Sequence, residues 1–498
     1  MPAATTALTD EQRCVVGTLG ECPSGRQATE RLGPSRSDGA DVGYLTLTDE
    51  LTGLPSRSLL ADRLAQALAE LDNGQRSLAV LVVGVDNVRL VNDCLSRNVG
   101  DELLRAVACR LRGTVGLHDM VVRFAEDELV VVCGQVTDDE AQAAARRILT
   151  VLECPVEVAD RELAVSVSIG MVVTCDARRD PDSLLKEADL AMNRAKHGGP
   201  GRVEVFDDSM RQRALARIEL ATALCRAAER RELGLVYQPV VDLASGSVVA
   251  VEALLRWTHP KLGPISPAEF VPLAEETGLI IRVGSWVLRA AFAQLAAWAV
   301  QGGLPRRLSV NVSVRQLAER DFVDEMAGAM AESGVDPRGV CLEITETAFM
   351  DDASSVAQAV ERLHRLGVLF AVDDFGAGYS SLQYLRRLPV QILKLDGTFV
   401  AGLGRSTADT AIVESTIELA HALGLRVVAE GVERSEQRCL LAEMGCDLGQ
   451  GYLWSPPRSA GDLEWGVIVP RSTKDGERRA HWPAEDLGRF GQQGSGAA

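Results

Sequence analysis

Between about residues 215 and 465 the chain repeats one pattern: a short β-branched run followed by a longer helical stretch. The runs are LVYQPVV (235–241), VVAVEAL (248–254), LSVNVS (308–313), VCLEIT (340–345), LFAVDDF (369–375), QILKLD (391–396) and RVVAEGV (426–432), and stretches such as SWVLRAAFAQLAAWAV (285–300) separate them. Repeated βα units over about 250 residues suit a closed α/β barrel. Periodicity alone also allows an open doubly wound sheet, so the placement of the polar residues decides. Glu252, Asn311, Glu343, Asp373, Lys394 and Glu430 all fall within these runs or at their downstream ends. Barrel strands bring such ends together on one face, whereas an open sheet would spread some of them too widely.

A carboxylate inside an apolar strand end is costly to desolvate unless something compensates its charge. A divalent metal does so. Glu252, Asn311, Glu343 and Asp373 offer hard oxygen ligands suited to Mg²⁺ or Mn²⁺. Asp374 can help hold a second ion if Asp373 bridges the two. Strand alternation sends neighbours to opposite faces, so this pair is expected where the strand turns into a loop, with Gly376 and Gly378 permitting the turn. Paired ions activate water and stabilise developing charge in phosphoester hydrolysis. Lys394 is suited to orienting that water or neutralising a phosphate oxygen, and Arg256 to clamping a non-bridging oxygen. Asp396 is expected on the strand face of Lys394, supporting it or a metal-bound water. Cys341 is no ligand candidate, because oxygen donors surround it and no second sulfur is near. The competing reading, an ion-pair network closing the barrel mouth, accounts for any one of these residues but poorly for the set.

Composition narrows the rest. Seventy acidic residues against 52 basic ones leave a net charge of -18. That balance disfavours a broad nucleic-acid or anionic-membrane footprint, while a local basic pocket could still hold a phosphate. No apolar run approaches the roughly 18–20 residues of a bilayer span, and even Leu78 to Val85 is only eight residues long, so no membrane span is expected. The N-terminus lacks a basic segment followed by an apolar one. The 11 cysteines are scattered with no CxxC pair, as expected of reduced thiols in a cytoplasmic protein. Residues 1–43 read as a flexible leader, 207–214 as a linker and 466–498 as a polar, Gly-rich tail. The remaining region, 44–206, alternates helical and strand patterns: helices near 59–71, 101–111, 140–149 and 184–195, with strands at 78–85, VVRF, ELVVVCG and VSVSIGMVV. It reads as an α+β sandwich.

The string Glu252-Ala253-Leu254-Leu255-Arg256-Trp257 resembles the EALxRW signature of EAL-domain cyclic di-GMP phosphodiesterases. It comes with YQPVV at 237–241, NVS at 311–313, LEITE at 342–346, DDFGAGYSSL at 373–382, KLD at 394–396, AEGVE at 429–433 and QG at 450–451, all in order. The resemblance covers 215–465 and implies a (β/α)₈-type barrel with one strand reversed, hydrolysing cyclic di-GMP to linear pGpG. It makes Glu252, Asn311, Glu343 and Asp373 ligands of one Mg²⁺ or Mn²⁺ ion, and Asp373 and Asp374, with Glu430 nearby, the holders of a second. Lys394 and Glu430 would position or deprotonate water, Gln450 would support the water network, and Gln238 and Arg256 would contact the dinucleotide. Glu346 matches the glutamate that anchors the catalytic loop. Ala377 for the usual threonine is the one change in that loop.

The region 44–206 resembles the GGDEF domain of diguanylate cyclases, a nucleotide-cyclase fold, through DELTGLPSRSLLADRL at 49–64 and EADLAMNRAKHGG at 187–199. Active cyclases hold Mg²⁺ with an aspartate on the first strand and an acidic residue of the GG[DE]EF turn. Gly84 stands at the first position, and the turn is Ala125-Glu126-Asp127-Glu128-Leu129. Both turn glycines are replaced, and Glu126 sets a negative charge where GTP phosphates would pass. AEDEL then reads as an acidic β-turn. The inhibitory RxxD motif is absent, with Gly116 and Asp119 at its two ends. Asn92 and Asp101 match the guanine-recognising positions, Lys196 matches a phosphate-contact lysine, and Pro200 replaces a later arginine.

The function expected is therefore a metal-dependent cyclic di-GMP phosphodiesterase whose degenerate first domain is structural or senses GTP as an allosteric ligand. The alternative is a non-hydrolysing effector that binds cyclic di-GMP and signals through a protein partner. A bifunctional cyclase and phosphodiesterase, or a pure scaffold, fits the residues less well. The resemblance also implies a homodimer through the EAL domain, and an upstream partner is expected to supply the input signal.

Overall fold

The computed structural model describes residues 48–71, 76–116, 119–158, 161–302, 305, 307–345, 353–376, 389–463 and 465. The expected leader and tail, Glu346 and the loop residues from Ala377 onward to 388 lie outside the described residues. The chain divides into two compact units between Asp207 and Asp208.

In the first unit the strands are β1 (Ser77–Val85), β2 (Met120–Arg123), β3 (Glu128–Val136), β4 (Val156–Val158), β5 (Arg161–Leu163), β6 (Val167–Thr174) and β7 (Val203–Val205). Five of them form one sheet in the order β2-β3-β1-β6-β7, and β4 with β5 makes a separate ribbon. Every residue of β1 after Ser77 is buried, because the sheet is covered on both faces. Ala79, Leu81, Val83 and Val85 join one apolar cluster with Leu103, Leu111 and Ile148. Leu78, Val80 and Val82 point the other way, to Leu60, Leu64 and Leu184. The expected α+β sandwich is therefore present. A short helix, Val88–Cys94, was not legible in the sequence, since Val88 is its one buried residue and no apolar stripe marks it.

The second unit carries β8 (Leu233–Asp242), β9 (Val248–His259), β10 (Gly263–Ile265), β11 (Leu308–Asn311), β12 (Val340–Thr345), β13 (Leu369–Phe375), β14 (Ile392–Leu395), β15 (Arg426–Ala429) and β16 (Leu448–Gly449). The order β10-β9-β11-β12-β13-β14-β15-β16-β8 is closed by a further β8–β9 pairing, which gives an eight-stranded barrel with β10 as an outer extension. β8 runs antiparallel to both β9 and β16, while β9 and β11–β16 are mutually parallel. The reversal follows from the connection. Only a tight turn joins β8 to β9, with Asp242 Oδ1 accepting from Ser245 N, and a parallel crossover needs a dozen or more residues. The last barrel strand is two residues long, too short to show a hydrophobic period, and for that reason it is missing from the rhythm read in the sequence.

The stretch expected as a linker at 207–214 is helical from Asp208 onward. Helix Asp208–Leu224 starts there, with Asp208 in its first turn. The segment RQRALARIEL has strong helix formers and neither Gly nor Pro. Helix Ile280–Val300 is long and apolar enough, by composition, to cross a bilayer. Here it packs on the barrel: Phe292 and Ala291 are fully buried, and Trp298 meets the Tyr237 ring of β8 edge-on at 4.9 Å.

Helix Pro181–His197 lies so close to β6 that a Cβ on Gly170 would sit 2.0 Å from the carbonyl oxygen of Ala188 and from the amide nitrogen of Met192. Both are backbone atoms and cannot swing aside. Gly170→Ala should therefore destabilise the first domain by about 2–3 kcal/mol, measured by denaturant unfolding and by hydrogen exchange in its peptides. Gly134→Ala, which would meet nothing within 4 Å, is the control and should stay close to wild type.

Candidate active site

Parallel register carries the polar residues to one place. On β9, Glu252 stands opposite Gln238 of β8 and Ser309 of β11. Asn311 pairs with Glu343, and Thr345 with Asp373. Lys394 is on β14, and Glu430 directly follows β15, its amide bonded to the Leu395 carbonyl. Alternation then points Glu252, Glu343, Asp373 and Lys394 into the barrel, where each is 8% exposed or less.

Lys394 is the hub of this arrangement. Its ammonium lies 2.6 Å from Glu343 Oε2, 2.7 Å from Glu430 Oε1, 3.0 Å from Asp373 Oδ1 and 3.5 Å from Glu252 Oε2. Three donors thus meet three close acceptors, with Glu252 just beyond. Glu252 has its own donors: Asn311 Nδ2 reaches Oε1 at 2.7 Å, and Gln450 Nε2 reaches Oε2 at 2.7 Å. Gln450 also donates to Gln238 Oε1, and Gln238 in turn donates to the Ser455 carbonyl. Gln238 therefore stands behind Glu252 with both ends of its amide engaged. The Ser455 carbonyl that ends this chain carries no side-chain signal in the sequence.

The electrostatics show a site with more negative charge than its lysine balances. Burial opposes ionisation of Glu252, yet the Lys394 charge and the bonds from Gln450 and Asn311 hold its carboxyl below the ordinary range. Glu343 is driven well upward by burial and by the Glu252 charge. Burial, with the Asp373 and Glu252 charges, pushes Glu430 up to about 7 against the pull of Lys394. Asp374 is raised by burial and by Asp373 and Asp396. Lys394 itself is held well above its ordinary value by the four carboxylates, despite burial.

Asp373 and Asp374 escape alternation as expected, through the backbone. Asp374 has φ +53° and Gly376 φ +98°, and the β13–β14 register is interrupted between Val372 and Phe375. One carboxylate oxygen each from Asp373, Asp374 and Glu430 then lie within 4.8 Å of one another. This donor set is all oxygen and fits a hard divalent ion. Gln450 Oε1, buried and without a partner among the described residues, fits a water in such an ion's shell. Burial pushes the Cys341 thiol up to about 12, which keeps it protonated and unsuited to ligation.

Two further residues flank the site. Arg256, half-buried on β9, donates to the Leu255 carbonyl, and Tyr452 lies near it. Tyr452 is 59% exposed and was not singled out in the sequence, although it directly follows Gln450-Gly451. Asp396 does not support Lys394 directly, although its charge bears on Asp374. No ion pair joins it to Lys394 among the described residues; its Oδ1 accepts from Thr398 N at 2.6 Å and caps helix Gly397–Gly402. A residue at a strand end followed at once by a helix is an N-cap before it is anything else.

In the first domain the Ala125–Asp127 turn joins β2 to β3 without any left-handed residue. Arg123 braces it, donating to the Glu126 carbonyl and pairing with Asp49 at 3.0 Å. Burial raises Glu128 and Asp189, with Asp189 adding to Glu128 and Lys196 opposing both. A metal ion does not fit the place the family resemblance would give it: Gly84 offers no ligand, and the Lys196 side chain fills the room beside it. Asn92 lies against Gly100, next to Asp101, with its Oδ1 buried and unpartnered among the described residues.

Comparison with known proteins gives these features a family. The EAL domain model matches residues 221–457, and the model for the diguanylate cyclase GGDEF domain matches 46–202. A Pseudomonas aeruginosa protein named bifunctional diguanylate cyclase/cyclic di-GMP phosphodiesterase MucR is 38% identical over 419 residues, covering 84% of this chain and 61% of that protein. From the same organism, the protein named cyclic di-GMP phosphodiesterase NbdA is 36% identical over 425 residues, covering 85% and 54%. The uncharacterized protein Rv1354c of Mycobacterium tuberculosis is 37% identical over 420 residues, covering 84% and 67%. The chain thus spans 54% to 67% of the length of these relatives. Both domains matched in tandem, and more than four fifths of the chain shared with each relative, make this chain a member of the GGDEF–EAL family.

Proposed function

We propose that the barrel is a metal-dependent phosphodiesterase that opens one phosphodiester of cyclic di-GMP and releases linear pGpG. The observation that carries this reading is the convergence of Glu252, Asn311, Glu343, Asp373, Asp374, Glu430 and Lys394 at one mouth, with an excess of buried carboxylate. The names of MucR and NbdA point to the same substrate.

Glu252, Asn311, Glu343 and Asp373 would hold one Mg²⁺ or Mn²⁺ ion, and Asp373, Asp374 and Glu430 a second. Bound there, such ions supply an activated water and charge stabilisation for the displacement. The protein's own groups do the rest. Lys394 aligns the attacking water and neutralises charge as it develops on the phosphate, and Glu430, 2.7 Å from that amine, receives the proton. Gln450 and Gln238 keep Glu252 in place, while Arg256 meets a non-bridging phosphate oxygen. Glu346 stands in the sequence at the loop-anchoring position, which favours turnover over a silent effector.

For the first domain we propose no cyclase activity. Gly84 supplies no ligand and Glu126 places charge at the turn. Asn92 beside Asp101 keeps a corner able to read guanine by hydrogen bonds, where GTP would act as an allosteric ligand.

Purified protein with cyclic di-GMP and Mg²⁺ or Mn²⁺ should yield pGpG, and a chelator or Glu252→Ala should stop it; product chromatography is the measurement. Inert wild type that still binds cyclic di-GMP tightly would replace the enzyme reading with the effector one. Gln450→Ala, which removes one brace of Glu252, should lower activity roughly 10–100-fold without loss of fold. With Glu252→Ala protein, GTP and Mn²⁺, cyclic di-GMP should not accumulate above a no-enzyme control; accumulation would restore the bifunctional reading.

A further inference from the structure

Gly84 and Lys196 fit each other. Gly84 lies near the end of β1, opposite Glu128 of β3 and Ser168 of β6. A Cβ added there would lie 2.6 Å from Lys196 Cε and 2.9 Å from its Nζ. Met192 Sδ would lie 2.8 Å away, so the lysine's terminal atoms and the Met192 sulfur together occupy the room that any side chain at 84 would need. Lys196 comes from the last turn of helix Pro181–His197, and its ammonium is 4.0 Å from Asp127 Oδ2. Asp127 and Glu128 sit together at the start of β3. Asp189, one helical face back from Lys196 at i−7, adds a third carboxylate to the same neighbourhood.

We propose that Lys196 takes the place of a divalent ion in the first domain: its ammonium neutralises Asp127, Glu128 and Asp189, and its stem fills the space left by Gly84. The cleft is thereby closed to a metal–nucleotide complex and is held together without one. An ion brought here would meet the lysine's positive charge beside its own ligands. Phosphates that sought Lys196 would have to compete with the Asp127 carboxylate, 4.0 Å from its ammonium, and with the charges of Glu128 and Asp189 nearby. A nucleotide recognised through its base at Asn92 and Asp101 is untouched by this, so base recognition and metal binding, which a working cyclase needs together, are separated here.

Hydrogen exchange followed by mass spectrometry on the full chain tests this locally, whatever ions the barrel takes up. In wild type, Mn²⁺ with or without GTP should leave exchange in peptides covering 77–86 and 120–132 unchanged. Lys196→Met, which removes the charge and keeps most of the stem, should raise exchange several-fold at 120–132 while peptides of helix Arg97–Thr114 stay protected. The pair Gly84→Asp with Lys196→Ala removes the stem that a side chain at 84 would meet and puts a carboxylate in its place, leaving only the flexible Met192 side chain to shift, and the same peptides should then become protected by Mn²⁺. Mn²⁺ protection already present in wild type, an unchanged Lys196→Met protein, or a double variant as insensitive as wild type would each overturn the proposal.

Discussion

The barrel interior depends on one ammonium. Glu252, Glu343 and Asp373 are fixed on different strands and aimed inward by register, and Glu430 arrives from the end of β15. Four carboxylates so close would repel one another and resist desolvation. Lys394, itself 2% exposed, stands within 3.5 Å of all four. Its charge is what lets Glu252 remain ionised in a buried position, while Glu343 and Glu430 are left pushed upward. Lysine is therefore necessary to the arrangement but does not complete it, and that shortfall is the reason a hard divalent ion suits the site.

Much of this was legible in the sequence because barrel geometry makes strand position nearly equivalent to spatial position. A polar residue at the downstream end of each apolar run must approach the others once the strands close. The Asp373–Asp374 pair could be placed at a strand-to-loop turn from alternation alone, and the left-handed Asp374 is how the backbone achieves it. What the sequence hid depends on other forces. The two-residue strand Leu448–Gly449 has no period to detect. Asp396 was read from strand alternation as supporting Lys394 or a metal-bound water, but one of its oxygens caps the helix that begins at Gly397 and its charge bears on Asp374 rather than pairing with Lys394. The bond from Gln238 to the Ser455 carbonyl spans 217 residues and involves backbone, which no side-chain pattern reports.

Helix Asp208–Leu224 shows the same limit from another side. A polar stretch between two domains reads as a linker when hydrophobic period is the test, yet its residues are good helix formers, and most of its first three turns face solvent. Propensity settled what patterning could not. In the barrel the reverse holds: Ile280–Val300 is apolar nearly all round, and only its packing against Tyr237 and the barrel wall shows which face is the core.

The two domains pose the same electrostatic problem and differ in how far solvent helps. Each gathers several carboxylates around one lysine. In the first domain the Lys196 and Asp127 side chains are 30% and 41% exposed, so water screens most of the residual charge and one amine suffices. In the barrel the Lys394 and Glu343 side chains are 3% and 2% exposed, and screening by water is withdrawn. A buried excess of negative charge must be met either by protons, which the raised Glu343 and Glu430 would take up, or by cations of higher charge. Protonation would leave an inert ion-pair plug; multivalent cations would leave a site charged for phosphoester chemistry. The second outcome is the one the proposed function requires, and the donors suit it, since Asn311 and Gln450 hold Glu252 ionised and Asp374 and Gln450 Oε1 keep oxygen atoms free of the lysine.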